Sequence, residues 1–258
     1  RALLAGTLVG LITPLIGTFL VMRRYALIAD TLSHVALLGI AIGIVTGLYP
    51  PLTAILTCII AAISIDKLRS NHKVYGETSL ALFLSGSLAG ALTLLSLNKS
   101  YSGNILNLLF GSILTVGQTE LLMIGALSIL VIITFIAFKK ELFFISFDEE
   151  SAKVSGLPVK NLNLLLMILT AITVSLSSQI IGVLLVGALM VIPVLCSLQV
   201  SKSFNQTLIY SVIFSEIAVW IGLIGSYNLN LIAGGSIVMV ALITFLVLLA
   251  FGSLRKAR

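Results

Sequence analysis

Charge is what this sequence has least of. Only 9% of its 258 residues are Asp, Glu, Lys or Arg, against 59% hydrophobic, and its mean hydropathy is +1.21. A water-soluble domain carries roughly 25% charged residues, so this chain could not cover its own surface in water. The bilayer must be its solvent. Cysteine is nearly absent too: Cys58 and Cys196 stand alone in apolar runs with no CxxC spacing. That pattern points to buried packing and away from a disulfide or a thiolate metal site. There is no GxxxxGK[ST] loop to hold a nucleotide, and no HExxH or other hydrolase signature. The chain is therefore not read as an enzyme, and ATP-driven work would need a separate subunit. The first residue is Arg1, so an upstream segment is expected and no leader is read at this end.

At about 20 apolar residues per crossing, spans fall near 2–22, 26–48, 51–66, 78–97, 119–138, 160–177, 180–200, 206–224 and 228–252. The predicted fold class is an all-α polytopic membrane protein with about nine transmembrane helices, a single domain over 1–258. Eight are possible, because 160–200 holds short pieces joined at Ser177-Ser178-Gln179. The apolar stretch 103–117 is too short to cross and is expected to lie at the interface or re-enter.

The net charge of +6 would suit nucleic acid if it were clustered, but its distribution gives it another meaning. With the Arg23-Arg24 turn cytoplasmic, strict alternation puts 67–77, 139–159, 201–205 and the C-terminus on the same side. Of the 15 basic residues, only Arg1 and Lys99 then fall outside. This is the positive-inside pattern, and it leaves no reason to expect a nucleic-acid partner.

Few ionisable groups remain inside the spans. Asp30 lies about 9 Å into the second span and His34 about 15 Å, with Glu216 about 16 Å into the eighth, at ~1.5 Å per residue. Such groups are costly in hydrocarbon and normally face a partner or a watery path. Asp30 and His34 stand at i and i+4, on one helical face. Together they can grip a cation of the zinc, manganese or iron type through oxygen and nitrogen, with Thr31 and Ser33 adding hydroxyls. They can equally form a buried hydrogen-bonded pair that only positions the helix. Glu216 suits a structural hydrogen bond or ion pair, and His72 a solvated loop. Gly39, Gly43 and Gly47 recur every fourth residue, as do Gly86 and Gly90, a spacing that lets helices approach closely.

The longest polar excursion is KKELFFISFDEESAKVSGLPVK, residues 139–160. Asp148-Glu149-Glu150 suit a helix N-terminus and Lys153 its other end, while Gly156 stops the helix and Pro158 opens the next. A short cytoplasmic helix over 148–155 follows, either a socket for a soluble partner or a solvated connector.

At these same residues the sequence resembles the ABC-3 family of permeases from bacterial zinc and manganese ABC importers. The likeness runs through FLVMRRYALIADTLSHVALLGIAIG (19–43), LFGSILTV (109–116), FDEESAKVSGLPV (147–159) and IIGVLLVGALMVIPVLCS (180–197), and covers essentially the whole chain. It implies a plasma-membrane permease that pairs with a second copy of itself. It also implies two ATPase subunits and an extracytoplasmic solute-binding protein as partners. The ion, Zn2+ or Mn2+, would be cargo and not a resident cofactor. By resemblance Asp30 and His34 fall on the translocation path, with Glu216 a less secure third metal residue. Asp148, Glu149, Glu150, Ala152 and Gly156 fall in the coupling helix that contacts the ATPase. The run DTLSHVALLG (30–39) looks nearer the zinc-type members than the manganese-type. The rival classes are a manganese or iron importer of this family, a gradient-driven carrier using Asp30, His34 and Glu216 as a proton relay, and an intramembrane enzyme using Ser33 and His34. The last is poorly served by geometry, since neighbouring helical residues point about 100° apart.

Overall fold

The computed structural model describes residues 1–70, 76–97, 109–111 and 117–256. Every regular element among them is an α-helix: α1 (Ala2–Met22), α2 (Ala26–Thr46), α3 (Pro50–Ser70), α4 (Gly76–Leu97), α5 (Gln118–Phe147), α6 (Glu149–Val154), α7 (Val159–Ile181), α8 (Val186–Val200), α9 (Phe204–Leu229) and α10 (Ala233–Lys256). Eight of these are long and apolar enough to cross a bilayer, and α8 is a shorter apolar helix. His72 and most of 103–117 lie outside the described residues.

The polar contacts between helix ends set the topology. Arg23, just past α1, donates to Asn163 Oδ1 in the first turn of α7 (2.6 Å) and to Glu149 Oε2 at the start of α6 (2.8 Å). One turn away, Phe19 packs against Phe135 of α5 and Phe204 of α9. The end of α1 and the starts of α6, α7 and α9 therefore share one end of the bundle. That is the end the basic residues mark as cytoplasmic. Because α7 and α9 both start there, the chain between them must return, and it does so through α8.

Two boundaries depart from the sequence reading, each for a physical reason. Ser177-Ser178-Gln179 does not separate two spans. The Ser177 and Ser178 hydroxyls donate to the carbonyls of Thr173 and Ser175, so both are satisfied within one continuous helix. The break falls instead at Gly182, whose φ of +94° ends α7. Likewise α5 runs through Lys139-Lys140-Glu141, read as loop. These are good helix formers, and below the bilayer their charge gives no reason to stop.

The glycine stripe of α2 divides. A methyl group on Gly39 would lie 2.6 Å from the Ala54 Cα, and one on Gly43 2.8 Å from the Pro50 Cα. Both residues thus seat α2 directly on the α3 backbone. Gly47 does not pack: it has open space around it and caps α2 in the left-handed conformation, φ +73°. Gly90 meets Leu38, whereas Gly86 faces nothing within 4 Å. The spacing marks a close helix contact at Gly39, Gly43 and Gly90 and not at Gly47 or Gly86.

Candidate functional site

The second helix begins abruptly. Arg24 takes a left-handed φ of +59°, and Tyr25 N–H donates to the Leu20 carbonyl, so only a three-residue turn joins α1 to α2. One turn into α2 stands Asp30, half-buried, and a turn further His34, 7% exposed. They do not bond to each other. Among the described residues the buried His34 Nδ1 has no hydrogen-bond partner, and no hydrogen bond or ion pair engages the Asp30 carboxylate. Buried polar atoms are nearly always paired, so an unpaired imidazole nitrogen one turn from a free carboxylate is a pair of donors held ready. The nearby hydroxyls add less than the sequence suggested. Thr31 donates to Leu27 and Ser33 to Asp30, each onto a main-chain carbonyl of its own helix.

Opposite Asp30 stands the first turn of α8. A methyl on Gly187 would lie 3.5 Å from the Asp30 Cβ, so glycine there lets α8 reach the acid. The break at Gly182 is what makes this possible. By interrupting the chain inside the bundle, it places the start of a helix, with its unpaired amide groups, beside an acid one turn into α2. Gly182 itself packs backbone to backbone on Phe110 and Gly111, and Gly234 packs on Ile181 and Phe110.

Behind the pair, α7 carries buried Thr173 Oγ1, Ser175 Oγ and a Gln179 Nε2 that also lack partners. These groups were not singled out from the sequence. Their signal is the hydroxyl and amide content of an otherwise apolar span that turns out to be central. Cys58 and Cys196 are both free and buried, as packing residues should be.

Glu216 belongs to a different interface. Its Oε2 accepts from Trp220 Nε1 (3.1 Å), which also reaches Thr7, and its Oε1 lies against Gly10 of α1. Helix α9 packs on α1, α8 and α10 and is not a packing neighbour of α2. Among the described residues no three His, Cys, Asp or Glu side chains gather into one metal-binding group. One chain therefore sets the two candidate ligands Asp30 and His34 one turn apart on α2, with Glu216 on a different interface.

The short helix α6 forms as its sequence predicts. Asp148 caps it, accepting from Ser151 N–H at 2.9 Å and from the Ser151 hydroxyl, and these bonds hold its carboxyl below the usual value. Gly156 closes the turn beyond at φ +82°. Asp148, Glu150 and Gly156 are exposed, with Val154 90% exposed beside them. Ala152 is not available to a partner: it is fully buried, and a methyl side chain there seats the helix on the bundle. Glu149 is half-turned inward, bound to Arg23 and to Lys153 (3.2 Å).

Residues 1–252 match the ABC 3 transport family. The chain belongs to that family. Among its relatives is a probable metal transport system membrane protein of Treponema pallidum, 33% identical over the whole chain and 97% of that protein. The high-affinity zinc uptake system membrane protein ZnuB of Haemophilus influenzae is 33% identical, over 95% of the chain and 94% of the relative. The manganese transport system membrane protein MntC of Listeria monocytogenes is 31% identical, over 97% and 89%. A solved structure of PsaBC from Streptococcus pneumoniae in complex with Fab superposes with a TM-score of 0.86 at 30% identity, covering 96% of this chain and 89% of that one. With eight helices long and apolar enough to cross a bilayer among the described residues, the chain is a multi-pass membrane protein.

Proposed function

We propose that this chain is the permease subunit of an ATP-driven importer for a divalent transition metal ion, with Asp30 and His34 on the ion's path. One observation carries the assignment of residues. The two side chains share a face of α2 inside the bundle, and among the described residues the buried His34 Nδ1 has no hydrogen-bond partner. A carboxylate and an imidazole suit zinc, manganese or iron, and two ligands per chain grip loosely enough to release. In a symmetric pair of permeases a second copy, or water, would complete the coordination. The family and the names of its relatives support the metal class. Zinc and manganese relatives stand at nearly equal identity, so the choice of zinc rests on the motif Asp30-Thr31-Leu32-Ser33-His34.

The partners follow from the same reading. ATPase subunits dock on the exposed side of α6 at Asp148, Glu150 and Gly156, and a solute-binding protein releases the ion at the outer mouth of a bacterial plasma-membrane complex. A gradient-driven carrier is not favoured, because Glu216 stands on another interface from Asp30 and His34 and cannot extend them into a relay.

The test is uptake of zinc and of manganese by cells lacking their own importer, supplied with this permease, its ATPase and its binding protein. Asp30→Ala and His34→Ala are expected to abolish uptake at unchanged expression and assembly. The ion whose uptake depends on them names the cargo. Full uptake by both variants would sink the assignment.

A further inference from the structure

Arg23 occupies an unusual position for a charged residue at a membrane surface. Its side chain is only 5% exposed, and both terminal nitrogens are engaged. The guanidinium donates to Glu149 in α6 and to Asn163 in α7, and it lies 5.1 Å from the centre of the Tyr25 ring. Tyr25 is the residue before α2, and Arg69 at the end of α3 sits on the same ring at 3.8 Å. Asp66 completes the group, within electrostatic reach of Arg69, Arg23 and Glu149. Exposed ion pairs contribute little, but a buried, multiply bonded guanidinium fixes geometry.

The two ends of this group are chemically distinct. Glu149 is in the short helix that presents Asp148, Glu150 and Val154 to the cytoplasm. Tyr25 is the N-terminal cap residue of the helix that carries Asp30 and His34. Between Arg23 and Tyr25 the turn is taut: Arg23, Arg24 and Tyr25 N–H groups all bond back to α1 carbonyls, so displacement of Arg23 is not absorbed by slack. Coupling between distant sites requires such a connected element.

We infer that Arg23 is the positioning residue through which movement of α6 reaches the metal-binding helix α2. This rests on the permease reading above. It assigns a task to the Arg23–Glu149 pair beyond anchoring a loop: the pair transmits ATPase-driven motion to Asp30 and His34.

The experiment uses the complete transporter, with its ATPase and binding protein, reconstituted in vesicles, and measures the metal moved per ATP hydrolysed, zinc and manganese each in turn. Arg23→Gln and Glu149→Gln remove the charge pair while keeping hydrogen-bonding side chains. Both are expected to retain the ATPase in the purified complex and to hydrolyse ATP, yet to move at least about fivefold less metal per ATP, the low end of measured site-to-site couplings. Lys153→Gln, which strips only the exposed arm from Glu149, is expected to keep the wild-type ratio. Exchange of the charges, Arg23→Glu with Glu149→Arg, is expected to recover part of it. An unchanged ratio in Arg23→Gln overturns the inference. So does a variant whose only defect is loss of the ATPase, since that marks an assembly role. In the same vesicles Asp30→Ala separates the two claims. Normal uptake by Asp30→Ala together with uncoupling by Arg23→Gln would remove the metal site and leave the link. Wild-type vesicles with no ATP-driven uptake would remove both.

Discussion

Replacing Gly39 by alanine tests the α2–α3 contact, and Gly86→Ala is its counterpart. The two glycines have the same four-residue spacing in sequence, and the structure gives them opposite surroundings. A Cβ on Gly39 falls 2.6 Å from the Ala54 Cα and 2.9 Å from the Thr53 carbonyl oxygen. Carbon atoms rest at about 3.5–4.0 Å, so α2 and α3 must open by roughly 1 Å. The nearest obstacle is the Thr57 hydroxyl, which could turn away only by giving up its bonds to the Thr53 and Ala54 carbonyls, and the two behind it are backbone. Overpacking of this kind costs about 1–3 kcal/mol, and the better helix propensity of alanine returns about 0.5–1 kcal/mol. The net loss, up to about 2.5 kcal/mol, corresponds to a fall in Tm of a few degrees at roughly 2–4 °C per kcal/mol for a chain near this size. Gly86→Ala meets nothing within 4 Å and keeps only the helix gain, so its Tm should hold or rise slightly. Thermal unfolding of the purified permease in one detergent, both variants side by side, makes the comparison. Equal losses in the two variants would refute the reasoning, since the argument depends on the different neighbours and not on the shared spacing.

Two further outcomes follow from local geometry. Gly182→Ala should lower folded yield far more than Gly39→Ala, because it combines a φ of +94° with a methyl forced into the Phe110–Gly111 backbone. Strain and overpacking each cost about 1–3 kcal/mol, and recovery of monodisperse protein by size exclusion would show it; wild-type yield would contradict the structure. Ser151→Ala should raise the Asp148 pKa toward the ordinary aspartate value of about 3.9, since the Ser151 hydroxyl and amide bonds are what depress it. A depressed carboxyl adds stability that is complete above its unfolded pKa and is lost as pH falls through the folded one, so the variant should differ from wild type at neutral pH and the difference should vanish only in acid. Carbon-13 NMR of the labelled aspartate side chains reads it directly, and an unshifted titration would mean that the hydroxyl contributes nothing.

Much of this fold is written in hydropathy, because a bilayer demands long apolar helices and little else has to be inferred. The Asp30–His34 pair was visible for the same reason: an acid and an imidazole inside such a helix stand out, and four-residue spacing puts them on one face. What the sequence could not convey was partnership. Whether Asp30 and His34 satisfy each other, whether Glu216 joins them, and whether Ala152 faces outward all depend on which helices are neighbours. Apolar patterning in a membrane leaves that open, because lipid and protein neighbours ask for the same side chains. The break at Gly182 was hidden by Ser177-Ser178-Gln179, which looks like a joint until the hydroxyls are seen bonded to their own helix. Arg23 was counted as one more positive charge on the cytoplasmic side, and nothing local marks it as buried.

Helix α5 has a consequence of its own. Its 30 residues extend about 45 Å, some 15 Å more than the hydrocarbon is thick, so it stands out of the membrane as a mast with α6 at its tip. Leu122, Ile129, Leu130, Ile133 and Ile136 lie exposed along its length, and lipid offers little resistance to tilt. A lean of about 10° would swing the projecting ~15 Å through roughly 2–3 Å, more than most protein interfaces tolerate. The mast alone therefore cannot hold α6 in register. The stays that fix its tip to the rest of the molecule are apolar and polar together: Leu142, Ile145 and Ala152 buried against the bundle, Phe143 on Phe204, and the bond from Arg23 to Glu149.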